Sequence, residues 1–288
     1  MTPLVPLVGI VVLNFNGQDC LSRSLASLKG LCYPCFFVVV VDNASTDDSL
    51  ALAKRNFPQY QYLTRQENSG FASGMNTGIR YVLKQGAAFI WLLNNDAWVE
   101  PNTLSLLIAE ASRNELAALW SPIILDPVTK ARWFAKGQID ALRMRALHQL
   151  PTKAELAASS YESAFLTGCA LLVRSAVLEQ VGLLDERFFL YYEDVDFSLR
   201  VRAAGFQGRV VPGATVWHTE QSAMNPEKLY HLVLSGLLFF EKWASFWQKP
   251  YFLVYTTLRR LKNFFDEVRG RDEARAVRRA YDDFYHGH

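Results

Sequence analysis

The chain lacks both glycine-rich signatures common in nucleotide-binding α/β proteins. After the first apolar run stands "NFNGQD" (residues 14–19), not a G-x-G-x-x-G turn, and no G-x-x-x-x-G-K-[ST] occurs anywhere. The first absence disfavours a nicotinamide dinucleotide fold, the second a P-loop ATPase. Cysteine is scarce: Cys20, Cys32, Cys35 and Cys169, with one C-x-x-C in "CYPC". A redox motif needs a thioredoxin-like context and a zinc site needs a second ligand pair, and neither is visible, so these read as incidental thiols of a reducing compartment. Long hydrophobic runs are missing too. "LVLSGLLFF" and "PYFLVYTTL" are about half the ~20 residues a spanning helix requires. "MTPLVPLVGIVVLNF" has neither a basic n-region nor a small-residue cleavage site, so a buried first strand is expected, not a signal peptide. There is no internal repeat, no low-complexity segment and no strong excess of one charge. The formal net charge of +2 does not by itself mark a nucleic-acid partner.

What is present is apolar: half of 288 residues, enough for one large domain or a domain with an appendage. Strand and helix patterns alternate over the first hundred residues. "LVGIVVLNF", "FFVVVVDNAS", "YQYLTR" and "AAFIWLLNND" read as strands. "CLSRSLASLKG", "DDSLALAKRNF" (capped by Ser45 or Thr46) and "GFASGMNTGIRYVLKQG" read as helices. Continuous apolar strands separated by helices predict an α/β fold with a mostly parallel twisted sheet flanked by helices. Ligands bind such sheets beyond the carboxyl ends of the strands, where Asn14, Asp42 and Asp96 all fall. The second hundred residues are less regular: a helix begun by Pro101, a hairpin in "DPVTKARWF", then strand, capped helix and turn in "FLTGCALLVRSAVLEQVGLLDE". Residues 226 to 285 are helical in pattern, broken at Pro250 and Gly270.

Several stretches carry chemistry. Asp42 follows four valines and fits either a ribose or base acceptor or a helix cap. Gly70, Gly74 and Gly78 share one helix face, implying close approach of a strand or a ligand backbone, and the helix start near Gly70 could face a phosphate. "LLNNDAWVEP" ends a strand with Asn94, Asn95 and Asp96, which fits a turn or a hard divalent cation shared with diphosphate and water. His218, after another predicted strand, is either structural or the imidazole of a Mn²⁺ pair. In "FFLYYEDVDFSLRVRAAG" (residues 188–205), Glu193, Asp194 and Asp196 crowd three carboxylates onto an incipient helix, and such charges repel unless compensated.

Taken in order, "VVLNFNG", "VVVVDNASTDDS", "ENSGFASGMNTG", "LLNNDAWVEP", "TGCALLVRSAVLEQVGLLDERFFLYYEDVDFSLRVRAAG" and "VWH" resemble the motif series of family-2 glycosyltransferases, most closely bacterial rhamnosyltransferase-type members. The likeness covers residues 7 to about 222. It implies a GT-A fold, a nucleotide-diphosphate sugar donor, a Mn²⁺ or Mg²⁺ cofactor and inversion at the anomeric carbon. By the same resemblance Asp42 holds the base or ribose, Asp96 closes a D-x-D metal motif whose first position is Asn94, His218 is a further metal ligand and Asp194 is the catalytic base. Asn14, Asn16, Asn43, Asn68, Gly70, Phe71, Asn76, Asn95, Thr167, Gly168, Tyr191 and Glu193 are expected to contact donor or acceptor. Glu193 and Asp196 would steady the base, receive acceptor hydroxyls or meet the helix N-terminus. Phe188, Phe189, Tyr191 and Tyr192 would wall the pocket or fill the core. The expected organisation is a catalytic domain over 1–222 (nucleotide half 1–100, acceptor half 101–222) and a helical region over 223–288.

The end of the chain differs in charge. Between Lys249 and Ala280 nine Lys or Arg meet four Asp or Glu, a balance of +5, leaving about −3 for the remainder. Tyr251, Val254, Leu258, Leu261, Phe265 and Val268 line one face of a predicted helix, with Arg259, Arg260 and Lys262 largely off it. That pattern fits an amphipathic helix on an anionic membrane or one packed against protein. The resemblance adds a saccharide acceptor that is lipid-linked, a peripheral position on the inner face of the cell membrane, and no nucleic-acid partner; the oligomeric state is left open. A sugar nucleotidyltransferase would need a basic Gly-rich loop where "NFNGQD" stands. A catalytically dead binding module is opposed by the joint presence of Asp42, Asp96, Asp194 and His218. Within the enzyme class a UDP-hexose, UDP-N-acetylhexosamine or UDP-galactofuranose donor is the alternative to dTDP-rhamnose.

Overall fold

A computed structural model describes residues 5–219 and 224–287. The first half alternates as its apolar pattern demands: β1 (Val8–Asn14), α1 (Leu21–Lys29), β2 (Phe36–Asp42), α2 (Ser49–Asn56), β3 (Gln61–Thr64), α3 (Gly70–Lys84) and β4 (Phe89–Asn94). The apolar runs of β1, β2 and β4 lie against helices on both faces and are almost wholly buried. These strands are parallel, in the order β4-β1-β2-β3. Their register sets Asn14 beside Asp42 and Leu13 beside Asn94, so the polar residues that end the strands emerge along one edge.

The second half adds β5 (Ala97–Val99), α4 (Thr103–Arg113), β6 (Ala117–Leu125), β7 (Arg132–Phe134), β8 (Gly137–Asp140), β9 (Arg145–His148), α5 (Lys153–Ala157), β10 (Tyr161–Glu162), β11 (Ala170–Arg174), α6 (Val177–Val181), α7 (Glu193–Ala203) and β12 (Gln207–His218). The sheet runs β10-β12-β6-β11-β4-β1-β2-β3, with β5 on β12 and β7 on β6. Strand β11 is antiparallel to both β4 and β6, so the sheet is mixed beyond its parallel first half. β8 and β9 form a separate hairpin. Three helices follow: α8 (Pro226–Trp243), α9 (Lys249–Val268) and α10 (Asp272–His286).

Some local expectations are corrected. Neither Ser45 nor Thr46 caps α2, which begins after Asp48 without a side-chain cap, because Ser45 is engaged by Asn14 and Asn16. α6 has no side-chain cap either. The break before α9 falls at residues 244–248, and Pro250 sits in the first turn, where a missing N–H costs nothing. A Cβ on Gly74 or Gly78 would collide with Leu13 or Val11 of β1, so the glycine stripe serves strand packing. The domain boundary expected at 222 lies outside the described residues. Just beyond it, α8 is built into the preceding body: Phe239 and Phe240 belong to the main core, and Lys242 and Trp243 bond to α7.

Candidate active site

On the first-half edge, Asn14 organises a buried polar cluster. Its Nδ2 lies 2.8 Å from Asp42 Oδ1, 2.8 Å from Ser49 Oγ and 3.1 Å from Ser45 Oγ, and its Oδ1 accepts from Asn95 Nδ2 at 3.0 Å. The second Asp42 oxygen accepts the Ser45 N–H at 3.1 Å. Both oxygens are met by neutral donors, and each retains lone-pair capacity for a ligand hydroxyl or N–H. Asn16, in a left-handed turn (φ 50°), accepts the Thr46 N–H at 2.8 Å and ties the two strand-end loops together.

Around α3 the expectation changes. Asn43 Nδ2 donates to Asn68 Oδ1 (2.7 Å) and Gly70 O (3.1 Å), while Asn68 Oδ1 also accepts the Gly70 N–H. Phe71 N–H donates to Phe189 O at 2.6 Å, and Gly70 (φ 87°) is pressed against the Phe189 backbone. The Gly70 and Phe71 N–H groups that open α3 are therefore occupied by protein, which weighs against a phosphate at this helix start. Asn76 is corrected as well: it is buried, with its amide bonded to Leu184 and Glu186, and pins the segment before α7 rather than facing a ligand.

The second-half residues converge on one pocket of about 340 Å³. Phe71, Thr167 and Gly168 form part of its lining, together with Tyr191, Glu193, Asp194 and the Asp96–His218 pair. Tyr191 and Tyr192 both adopt the left-handed conformation (φ 69° and 68°), a strained turn that swings the start of α7 into the pocket. Asp194 accepts the Gly168 N–H at 2.8 Å and the Val195 N–H at 2.7 Å. Burial nevertheless pushes its carboxyl above the usual aspartate range, against those two bonds and the nearby His148. Burial, and then the charge of Asp194, push Glu193 well above its usual range, and Glu193 Oε2 is buried without a partner among the described residues. Asp196 is corrected out of the pocket. It is fully buried, pairs with Arg200 (2.8 Å) and Lys242 (2.7 Å), and accepts from Trp243 Nε1 (2.9 Å). Phe188 is core, and Phe189 stacks on His231 at 4.3 Å.

Pairing of β5 with β12 sets His218 opposite Ala97 and so brings Asp96 to the imidazole. His218 Nε2 lies 3.1 Å from Asp96 Oδ1, yet the two are not aligned as a hydrogen bond, and His218 Nδ1 and Asn94 Oδ1 are also buried without partners among the described residues. Two donors about 3 Å apart suit adjacent positions of an octahedral shell with ~2.1 Å bonds. An imidazole, a carboxylate and an orphaned amide oxygen thus fit a divalent cation. Among the described residues no group of three or more His, Cys, Asp or Glu could hold a metal, so further ligands would come from a substrate and water.

His148 and Trp133 line the same pocket and were not foreseen as site residues. His148 Nδ1 lies 2.8 Å from Trp133 O, and the Trp133 ring meets His218 edge-on at 4.4 Å. The hairpin signal located Trp133 but gave it no role; the segment holding His148 matched no pattern. Lys228 and Leu232 of α8 complete the wall. A roomier groove of about 650 Å³ between α9 and α10 holds none of these side chains.

The fold is shared with solved sugar transferases. A mannosyltransferase, PcManGT from Pyrobaculum calidifontis in complex with GDP-Man and Mn²⁺, superposes with a TM-score of 0.62 at 16% identity, covering 99% of this chain and 77% of that one. GalNAc-T7 with UDP, GalNAc and Mn²⁺ gives 0.69 at 16% identity, covering 85% of this chain and 49% of that one. The architecture is accordingly GT-A. The model of glycosyl transferase family 2 matches residues 9–182, and the chain belongs to that family. It is 27% identical over 275 residues to the N-acetylglucosaminyl-diphospho-decaprenol L-rhamnosyltransferase of Mycobacterium tuberculosis, covering 87% of this chain and 88% of the relative. Over shorter stretches it resembles the dTDP-rhamnosyl transferase RfbF of Shigella flexneri (27%, 63% of this chain, 59% of the relative) and the galactofuranosyltransferase GlfT1 of M. tuberculosis (28%, 68% and 64%).

Proposed function

We propose that this glycosyltransferase is inverting and metal-dependent, and moves rhamnose from dTDP-rhamnose onto a lipid-linked saccharide in bacterial surface polysaccharide synthesis. The observation that carries the reading is that Asp194 and the Asp96–His218 pair line one and the same pocket. Asp194 takes the proton of the acceptor hydroxyl as that oxygen attacks the anomeric carbon. The bond from that carbon to the diphosphate breaks on the opposite side, and the electron pair leaves with the diphosphate. The Gly168 and Val195 N–H groups fix the lone pairs of Asp194 for this task. Asp42, steadied by Asn14 and Ser45, receives the ribose or base, and Asn95 links that cluster to the metal side. A divalent cation on Asp96 and His218, Mn²⁺ by its taste for imidazole or else Mg²⁺, would neutralise the leaving diphosphate.

Rhamnose and the lipid-linked acceptor rest on what the two rhamnosyltransferase relatives are named for. The galactofuranosyltransferase relative keeps UDP-galactofuranose as the second donor reading. Among the described residues no helix is long and apolar enough to cross a membrane. The apolar face of α9 is exposed, which supports peripheral attachment at the cytoplasmic face. Hydrolysis and transfer across a panel of nucleotide sugars test the reading. dTDP-rhamnose should turn over fastest and yield the inverted anomer by NMR; preference for a UDP-sugar overturns rhamnose alone, and inactivity with every donor overturns the enzyme.

A further inference from the structure

We propose that the cleft between the β8–β9 hairpin and the α8–α9 corner binds the hydrocarbon of the lipid that carries the acceptor saccharide through a diphosphate. The inference rests on the lipid-linked acceptor proposed above and locates the lipid on this chain. The cleft measures about 370 Å³, a size that holds a small ligand. Phe239, Phe240 and Leu199 lie at its base, Ile139 and Met144 along one wall, and Trp247 and Tyr251 at its mouth. Among the described residues no carboxylate, ammonium or guanidinium lines it. Three of its polar groups are already engaged: Trp243 Nε1 donates to the buried Asp196, the Tyr251 hydroxyl to Leu142 O, and Gln248 Oε1 accepts from Ser245. What remains is predominantly hydrocarbon surface, which an apolar chain complements better than a sugar does.

Its position selects the carrier as occupant. Strand β9 serves two chambers, since Ala146 and His148 line the catalytic pocket while Met144, just before the strand, lines the cleft. Tyr192 lines the pocket and packs on the cleft base, 5.2 Å from Phe239 and 6.0 Å from Phe240 between ring centres. At the mouth, Trp247 (85% exposed) and Tyr251 run on into the exposed face of α9 at Val254 and Leu258. An amphiphile delivered from a bilayer thus meets one apolar path along α9 into the cleft, which shares Tyr192 and the β9 segment with the pocket of Asp194.

Tryptophan fluorescence or calorimetry on the full chain tests this, with farnesyl diphosphate as probe and inorganic diphosphate as reference. Farnesyl diphosphate should bind at least about tenfold tighter, since burial of only a couple of methylenes suffices for that factor. Leu142→Glu and Trp247→Glu, at positions 73% and 85% exposed and so tolerable to the fold, should erase the advantage while leaving dTDP affinity unchanged. Leu261→Glu, farther along α9, should leave it intact. Equal binding of the two diphosphates, or cleft variants that bind like the parent, overturns the proposal. So does a pattern in which the cleft variants lose phosphatidylglycerol vesicles but keep farnesyl diphosphate, because the cleft is then a bilayer contact. The enzyme reading fails separately: it falls if no donor supports transfer, whatever farnesyl diphosphate does.

Discussion

Asp194 must be ionised to act as a base, and its surroundings oppose that. Burial raises its pKa, and the Gly168 and Val195 N–H groups with His148 only partly restore it. The acid limb of kcat/KM should therefore lie above the ordinary aspartate value of about 3.9, with activity lost as pH falls through the raised pKa; a limb at or below that value removes Asp194 as the base. Asp194→Asn should lower turnover by about 10²–10⁴ with nucleotide affinity nearly unchanged, checked by steady-state kinetics beside calorimetry. Glu193 gives the stability counterpart. Its folded pKa lies well above the unfolded one, so the native state binds the extra proton and stability declines as pH rises from about 4.3 through the folded value. Glu193→Gln mimics the neutral form and should raise the melting temperature at pH 8, with the gain vanishing below pH 4. A melting difference independent of pH would contradict this assignment. These two carboxylates were legible in the sequence as a crowded run, and the part proposed for them in sugar transfer came from the resemblance. Their companion Asp196 was not, because only packing brings Lys242 and Trp243 from 46 and 47 positions away in the chain to neutralise it. His148 was invisible for the same reason, its place depending on a hairpin that folds over the pocket.

At the scale of elements, the strands that run as valine and leucine blocks were readable, since a strand buried on both faces has to be apolar throughout. The insertion of β11 between β4 and β6 was not, for orientation depends on connections and not on local periodicity. α9 was readable as an amphipathic helix but not as one left uncovered. Val254, Leu258, Leu261, Phe265 and Val268 are each more than half exposed, and Thr256 is its one buried residue. The neighbouring Arg259, Arg260 and Lys262 supply charge worth about 1 kcal/mol each near an anionic surface. The full chain should sediment with phosphatidylglycerol vesicles and be released as salt rises, because the Debye length shrinks from ~10 Å at 0.1 M to ~3 Å at 1 M. Leu258→Glu with Phe265→Glu should abolish sedimentation and leave donor hydrolysis unchanged. If the parent ignores vesicles and instead forms a dimer that the double variant dissolves, the stripe is a subunit interface.

At the scale of the whole molecule, a division at residue 222 would cut through the catalytic body. α8 supplies Lys228 and Leu232 to the pocket, Phe239 and Phe240 to the core, and two of the three groups that hold Asp196. Removing everything after 222 would strip Asp196 of Lys242 and Trp243, leave Arg200 as its charged partner, and open the carboxylate to water. It would also strip the cover from Phe188, whose ring has Lys242 Nζ 5.9 Å from its centre, and from Tyr192. α10 is coupled to the same body through Tyr230 and Leu234, which pack on Ala276 and Ala280, and through the Tyr230 hydroxyl on Asp283 at 2.7 Å. A chain ending at 222 should therefore melt at least several degrees lower or aggregate, and lose donor hydrolysis, whereas the full chain with substitutions confined to α9 keeps both its melting temperature and its hydrolysis. Thermal unfolding and hydrolysis measured side by side decide the matter. If the 222-residue chain melts and hydrolyses like the parent, α8 is an ornament on an independent domain, and the wall it contributes to the pocket has no part in donor chemistry.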